Sequence, residues 1–97
     1  MHEAISVNGV PIRLPPERWM HIVEARDELA GRMLEVLNAI EEPDRVTTGY
    51  RGSLIAWKGY GRKKHLVVIY KEMSRQDGFV ITAFFTTKSR NGKRVWP

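Results

Sequence analysis

The sequence predicts an α+β domain in which two N-terminal helices pack on one face of a roughly four-stranded antiparallel sheet. Three observations predict it. Apolar residues recur at the 3.6-residue helical period before Pro43 and at the period of two after it. Segments 66–71 and 79–88 are rich in β-branched and aromatic residues. They are joined by Ser74-Arg75-Gln76-Asp77-Gly78, whose turn chemistry ends in glycine. Each helix carries an apolar stripe and the second arm carries an apolar face (Phe79, Ile81, Ala83, Phe85), so each needs the other as a cover.

In chain order, Asn8-Gly9 between Ile5/Val7 and Val10/Ile12 is a favoured two-residue turn, placing a short hairpin or a lead-in strand over 4–14. Pro15-Pro16 ends any strand there and suits a helix start. The first helix is expected over about 16–25, where Trp19, Ile22 and Val23 share one face and His21 lies nearly opposite, among Glu17, Arg18 and Glu24. Asp27 suits a cap for a second helix over about 28–40, with a stripe of Leu29, Met33, Val36, Leu37 and Ile40. Gly31 inside it costs about 1 kcal/mol relative to Ala, which close helix packing would explain. Beyond Pro43, strands are expected over 45–48 and 53–60, with turns at 49–52 and 61–64 and a bulge near Gly59 and Gly61. Segment 89–94 reads as a polar, basic tail, and Val95-Trp96 as an edge strand or a docked end.

Ninety-seven residues suit one domain spanning 1–97, with a modest core. The absence of cysteine excludes disulfides and thiolate metal sites. No apolar run approaches the ~20 residues of a membrane span. The N-terminus has no signal-peptide layout, so a cytoplasmic location is expected. The formal charge of +5 is uneven. Residues 1–43 hold four Lys/Arg against eight Asp/Glu, and residues 44–97 hold twelve against three, giving −4 and +9. A basic half points to an anionic partner, most often nucleic acid, with a merely solvated basic surface as the plain alternative.

His2, His21 and His65 lie on three separate elements without ligand spacing, so no metal and no cofactor is expected. Gly59-Tyr60-Gly61 lacks the pattern of a phosphate loop. RNA cleavage asks for less, because the 2′-hydroxyl is itself the nucleophile. The protein removes one proton, donates another and stabilises charge on the phosphate. His21 suits the proton steps, and Glu24, one helical turn away, suits either holding its tautomer or acting as the second proton-transfer group. Thr82, Lys71 and Lys88 suit the phosphate. Arg45, Arg51, Lys58, Arg62, Lys63 and Lys64 suit an RNA backbone, while Tyr50 and Tyr70 suit either base stacking or packing. Trp57 and Trp96 read as core or edge packing. Each polar residue also has a plain reading, as solvated helix surface or as a strand-end gatekeeper.

The order of short motifs resembles a known group. Leu14-Pro15-Pro16-Glu17-Arg18-Trp19-Met20-His21-Ile22 is similar to the P-E-R-W-x-H-I opening of small phage- and toxin-associated proteins. These belong to the barnase–EndoU–colicin–RelE (BECR fold) nuclease superfamily. Glu42-Pro43-Asp44-Arg45-Val46, Leu66-Val67-Val68-Ile69-Tyr70-Lys71, Ile81-Thr82-Ala83-Phe84 and Lys93-Arg94-Val95-Trp96 resemble its later segments in the same order, over about residues 12–96. The resemblance implies a metal-independent endoribonuclease of toxin or effector type, held in check by a small inhibitor protein. It implies His21 as the catalytic histidine, Arg45 and Lys71 as phosphate contacts, Thr82 as the strand hydroxyl and Lys88 as a second cation. One departure stands out. Relatives often continue with R-H-P-E-L, whereas this chain has Ala25-Arg26-Asp27-Glu28-Leu29 and so lacks the second histidine. The alternatives are an RNA-binding module without catalysis, using the basic half, and a protein-interaction domain using the acidic helical half.

Overall fold

The computed structural model describes residues 2–88 and 92–97. Chain order is β1 (His2–Ile5), β2 (Pro11–Leu14), α1 (Pro16–Ala25), α2 (Met33–Glu41), β3 (Arg45–Thr48), β4 (Leu54–Gly59), β5 (His65–Glu72), β6 (Gly78–Thr86) and β7 (Arg94–Trp96). Short 3-10 turns at Asp27–Leu29 and Tyr50–Gly52 complete it. The strands form a single seven-stranded sheet in the order β1-β2-β6-β5-β4-β3-β7. All neighbours are antiparallel except β2 and β6, which run parallel. The expected four-stranded antiparallel sheet with N-terminal helices is therefore corrected: a hairpin precedes the helices, and the sheet is larger and mixed.

The N-terminal hairpin closes through Gly9, which adopts φ +81°, and through Ser6 N–H donating to Val10 O at 2.8 Å. Its turn is tied to the far end of β5, because the buried Ser6 hydroxyl donates to Glu72 at 2.6 Å. Beside it β2 joins β6 through the pairs Ile12↔Gly78 and Arg13↔Phe79. A Cβ at position 78 would lie 2.6 Å from both Ile12 Cδ1 and Lys71 O, so only glycine admits this approach. The Arg13 guanidinium donates to Asp77 at 2.8 Å, and that hydrogen bond lowers the Asp77 pKa below its usual value. The pair's contribution is thus present above the ordinary aspartate pKa and is lost as pH falls through the lowered one.

Pro15 and Pro16 turn the chain out of the sheet, and α1 then runs beside β6. Its Ile22 is buried in the main core, with Trp19 packed against the same cluster. The second helix is shorter than expected. Gly31 takes φ +78° and no atom lies within 4 Å of the position its Cβ would occupy, so it ends a turn rather than serving close helix packing. From Met33 onward α2 buries Val36, Leu37, Ala39 and Ile40 against β1, β4 and β5.

The main core lies between the helices and Ala56, Leu66, Val68, Tyr70, Val80 and Ala83 of the sheet. A smaller cluster, Ile55, Trp57 and Val67 with Ile69 and Phe84, occupies the opposite face. Register across β5 and β6 decides which residue faces which side. Ile69 pairs with Thr82 and Tyr70 with Val80, which leaves Ile81 as a bulge. Ala83 and Phe85 therefore stay on the helix side, while Phe79 and Ile81 are carried to the other, against the expected single apolar face. The bulge expected near Gly59 is not found there, since β4 and β5 keep register through Gly59↔His65. Val95-Trp96 does form an edge strand, on β3, whereas the polar tail residues 89–91 lie outside the described residues. No helix among the described residues is long and apolar enough to cross a membrane.

Candidate active site and nucleic-acid interface

Helical phase places His21. With Ile22 buried and Trp19 and Val23 half-buried, His21 points outward, its side chain 73% exposed. The parallel continuation from β2 lays this part of α1 against the start of β6. There His21, Glu17 and Arg18 meet Arg13, Phe79 and Val80 around an open cleft of about 360 Å³. Lys71 is the cross-strand partner of Phe79, and Thr82 lies on the same sheet face. Directly opposed residues in antiparallel strands hold their Cβ atoms ~5 Å apart, so Lys71 neighbours Phe79 on the sheet face turned away from the helices, and neither Lys71 nor Thr82 lines the cleft. Of the five sequence-predicted catalytic residues, His21 alone lines the cleft.

Glu24 and Lys88 do not line it either. His21 Nδ1 and Glu24 Oε1 are 3.9 Å apart, beyond hydrogen-bond range, so Glu24 does not hold the imidazole tautomer in this arrangement. Glu17, one turn on the other side, lines the cleft itself. Lys88 follows the far end of β6, roughly 25 Å from Phe79 at the ~3.3 Å rise of a strand. It borders a separate open cleft with Lys64, Phe85, Thr86 and Thr87.

The predicted RNA-contacting residues scatter over the molecule. Arg45 lies on β3, three strands from β6, with its guanidinium 4.4 Å from the Trp57 ring centroid. Tyr50 is exposed on the β3–β4 connection, with the Arg51 guanidinium 5.3 Å from its ring. Lys58 is occupied, its Nζ donating to the Glu42 carbonyl at 2.6 Å. Arg62, Lys63 and Lys64 are exposed in the β4–β5 turn, and Lys64 Nζ sits 4.4 Å from the Phe85 centroid. Tyr70 is corrected outright. Register turns it into the main core at 0% exposure, where no base can reach it. Burial raises its phenol pKa, with the nearby Glu72 charge adding to the effect. Its hydroxyl has no hydrogen-bond partner, so Tyr70→Phe is expected to leave urea-unfolding stability within ~1 kcal/mol of wild type or to raise it. RNA affinity is expected to stay unchanged.

Sequence reasoning missed Arg13, Arg26 and Phe79. Arg13 reaches the cleft through the parallel β2–β6 pairing, which no local pattern announces. Arg26 was read as part of a departed motif, yet its guanidinium lies 5.7 Å from the Phe84 centroid. Among the described residues, no group of three His, Cys, Asp or Glu side chains is placed to hold a metal ion. No family model, curated protein or solved structure matches the chain.

Proposed function

We propose that this protein is a small endoribonuclease that cuts RNA without a metal ion at the cleft between α1 and β6. The observation that carries the reading is the convergence there of an exposed imidazole, a carboxylate and cations: His21, Glu17 and Arg18, with Arg13 lining the same cleft. One of the pair His21 and Glu17 takes the proton of the 2′-hydroxyl as its oxygen bonds to phosphorus. The other gives a proton to the 5′-oxygen as the phosphorus–oxygen bond to it breaks. Arg18 and Arg13 stabilise the charge gathering on the phosphate, while Lys71 and Thr82, on the sheet face of Phe79, meet the neighbouring RNA backbone. Lys88 and Arg45 are too distant for the reacting phosphate and serve flanking backbone instead.

The resemblance in motif order supports the same chemistry, with a toxin or effector role in the cytoplasm and a small inhibitor protein as partner. A second reading, RNA binding without turnover, is favoured by the 3.9 Å gap between His21 and Glu24, which leaves the imidazole without a fixed tautomer. Incubating the purified protein with mixed single-stranded RNA in excess EDTA separates the two. Cleavage is expected to persist, whereas salt-sensitive binding with intact RNA would support the second reading.

A further inference from the structure

We propose that the sheet face turned away from the helices carries a pocket for one unstacked nucleobase, where the β3–β4 connection folds over Ile55, Ile69 and Ile81. This inference rests on the RNA reading above and adds a base-binding subsite to it. The three isoleucines come from β4, β5 and β6 and line one open cavity of about 380 Å³ with Gly49, Tyr50 and Ser53. They meet there because Ile55 pairs with Ile69, and because the bulge at Ile81 falls opposite the step from Ile69 to Tyr70. Both helices pack on the main core, on the other side of the sheet, and Ile69 and Ile81 remain partly exposed. Gly49 lets the connection close down on this floor, since a Cβ there would stand 2.5 Å from Ser53 Oγ and 3.1 Å from Ile55 Cγ1. Tyr50, next in the chain, is left 79% exposed at the cavity, with the Arg51 guanidinium 5.3 Å from its ring.

The surroundings select the occupant. None of the residues lining the cavity is acidic, and two cations stand near it. Arg51 is one. Lys71 is the other: it shares the face of Ile69 two residues along β5, a ~7 Å step from the floor, and is in no ion pair among the described residues. An apolar floor, an exposed ring and nearby cations together match a nucleotide. The base lies on the isoleucines and stacks on Tyr50, its edge meets the Ser53 hydroxyl, and its phosphate meets Lys71 or Arg51. An apolar protein segment in the same place would leave both cations without a partner. The volume lies near the lower end of the ~300–1,000 Å³ of small-ligand sites, which gives room for one base rather than a stack.

The test uses a 2′-O-methyl RNA hexanucleotide, whose blocked nucleophile prevents cleavage, and an abasic hexamer with the same backbone. In methyl NMR spectra of isoleucine-labelled protein, the hexanucleotide is expected to shift the δ1 methyls of Ile55, Ile69 and Ile81. Those of Ile12 and Ile40, enclosed in the main core, are expected to stay in place. The abasic hexamer is expected to leave all five unmoved. By fluorescence anisotropy, Tyr50→Ala is expected to weaken hexanucleotide binding roughly 5–150-fold, the loss of one base–aromatic stack, with abasic binding as in wild type. Tyr50→Phe is expected to bind both probes like wild type. Unmoved floor methyls with the hexanucleotide bound, an equal loss for both probes in Tyr50→Ala, or no loss for the hexanucleotide would overturn the pocket while leaving RNA binding standing. A wild-type protein that binds neither probe at low salt would overturn the pocket and the RNA reading together. An unchanged melting temperature of Tyr50→Ala shows that the comparison concerns binding.

Discussion

Replacing His21 with alanine is expected to lower the rate of RNA cleavage by ~10²–10⁴-fold, the usual contribution of a general acid or base. Folding stability is expected to change by no more than about 0.5 kcal/mol, as for a plain helix surface. The contrast follows from placement. His21 lies on the outer side of α1, while Ile22 and Trp19 make that helix's contacts with the core. Single-turnover cleavage and urea unfolding of the same preparation measure both quantities. Undiminished cleavage by His21→Ala would remove the imidazole from the mechanism. A loss of activity that tracks a loss of stability would mark it as structural. Glu17→Gln is expected to follow the same pattern, because its carboxylate lines the same cleft and its side chain is not needed by the core.

Trp57→Ala is expected to cost ~3–5 kcal/mol, the range for truncating a large aromatic side chain in a core. Whole domains of this size are stable by only ~5–15 kcal/mol, so the variant should sit near the edge of folding. The ring is 1% exposed, on the sheet face away from α2, packed with Ile55 and Val67. Its Nε1–H donates to the Thr47 hydroxyl at 2.9 Å, and Arg45 lies against its face. Truncation leaves a cavity, an unpartnered buried hydroxyl and a guanidinium without its ring. Trp57→Phe keeps most of the ring contact and should cost much less. A loss below ~1 kcal/mol for Trp57→Ala would mean that the second cluster contributes little to the fold.

Local elements were legible in the sequence where local chemistry decides them. Helix α1 runs over Pro16–Ala25, as Pro15-Pro16 and the Trp19/Ile22/Val23 stripe indicate. Strand β3 covers Arg45–Thr48, as its position after Pro43 suggests. Pairing was not legible, because it is settled between distant residues. The parallel union of β2 with β6 depends on the missing Cβ of Gly78 and on the Arg13–Asp77 ion pair, residues 64 positions apart. The same limit applies to the candidate site. An outward His21 follows from helical phase alone, but its nearness to Phe79 and Arg13 needs the long-range pairing. Which of Tyr70 and Lys71 shares a face with Thr82 turns on the pairing of Ile69 with Thr82, since a one-residue shift exchanges the two faces of a strand. That register puts Tyr70 in the core and Lys71 on the face of Thr82, and the bulge at Ile81 then brings Phe79 opposite Lys71. Gly31 shows the converse, a residue whose role as a turn is visible only in its positive φ.

The central claim is cleavage through the 2′-hydroxyl by this protein's own side chains. Its most direct test takes an RNA of defined sequence, maps the cut positions in EDTA, and repeats the assay with a single 2′-deoxy nucleotide on the 5′ side of one mapped cut. The account predicts that cutting disappears at that position alone, that other positions are cut as before, and that the fragments carry 2′,3′-cyclic phosphate ends. Continued cutting at the deoxy position, or activity that appears only when a divalent cation is added, would contradict it.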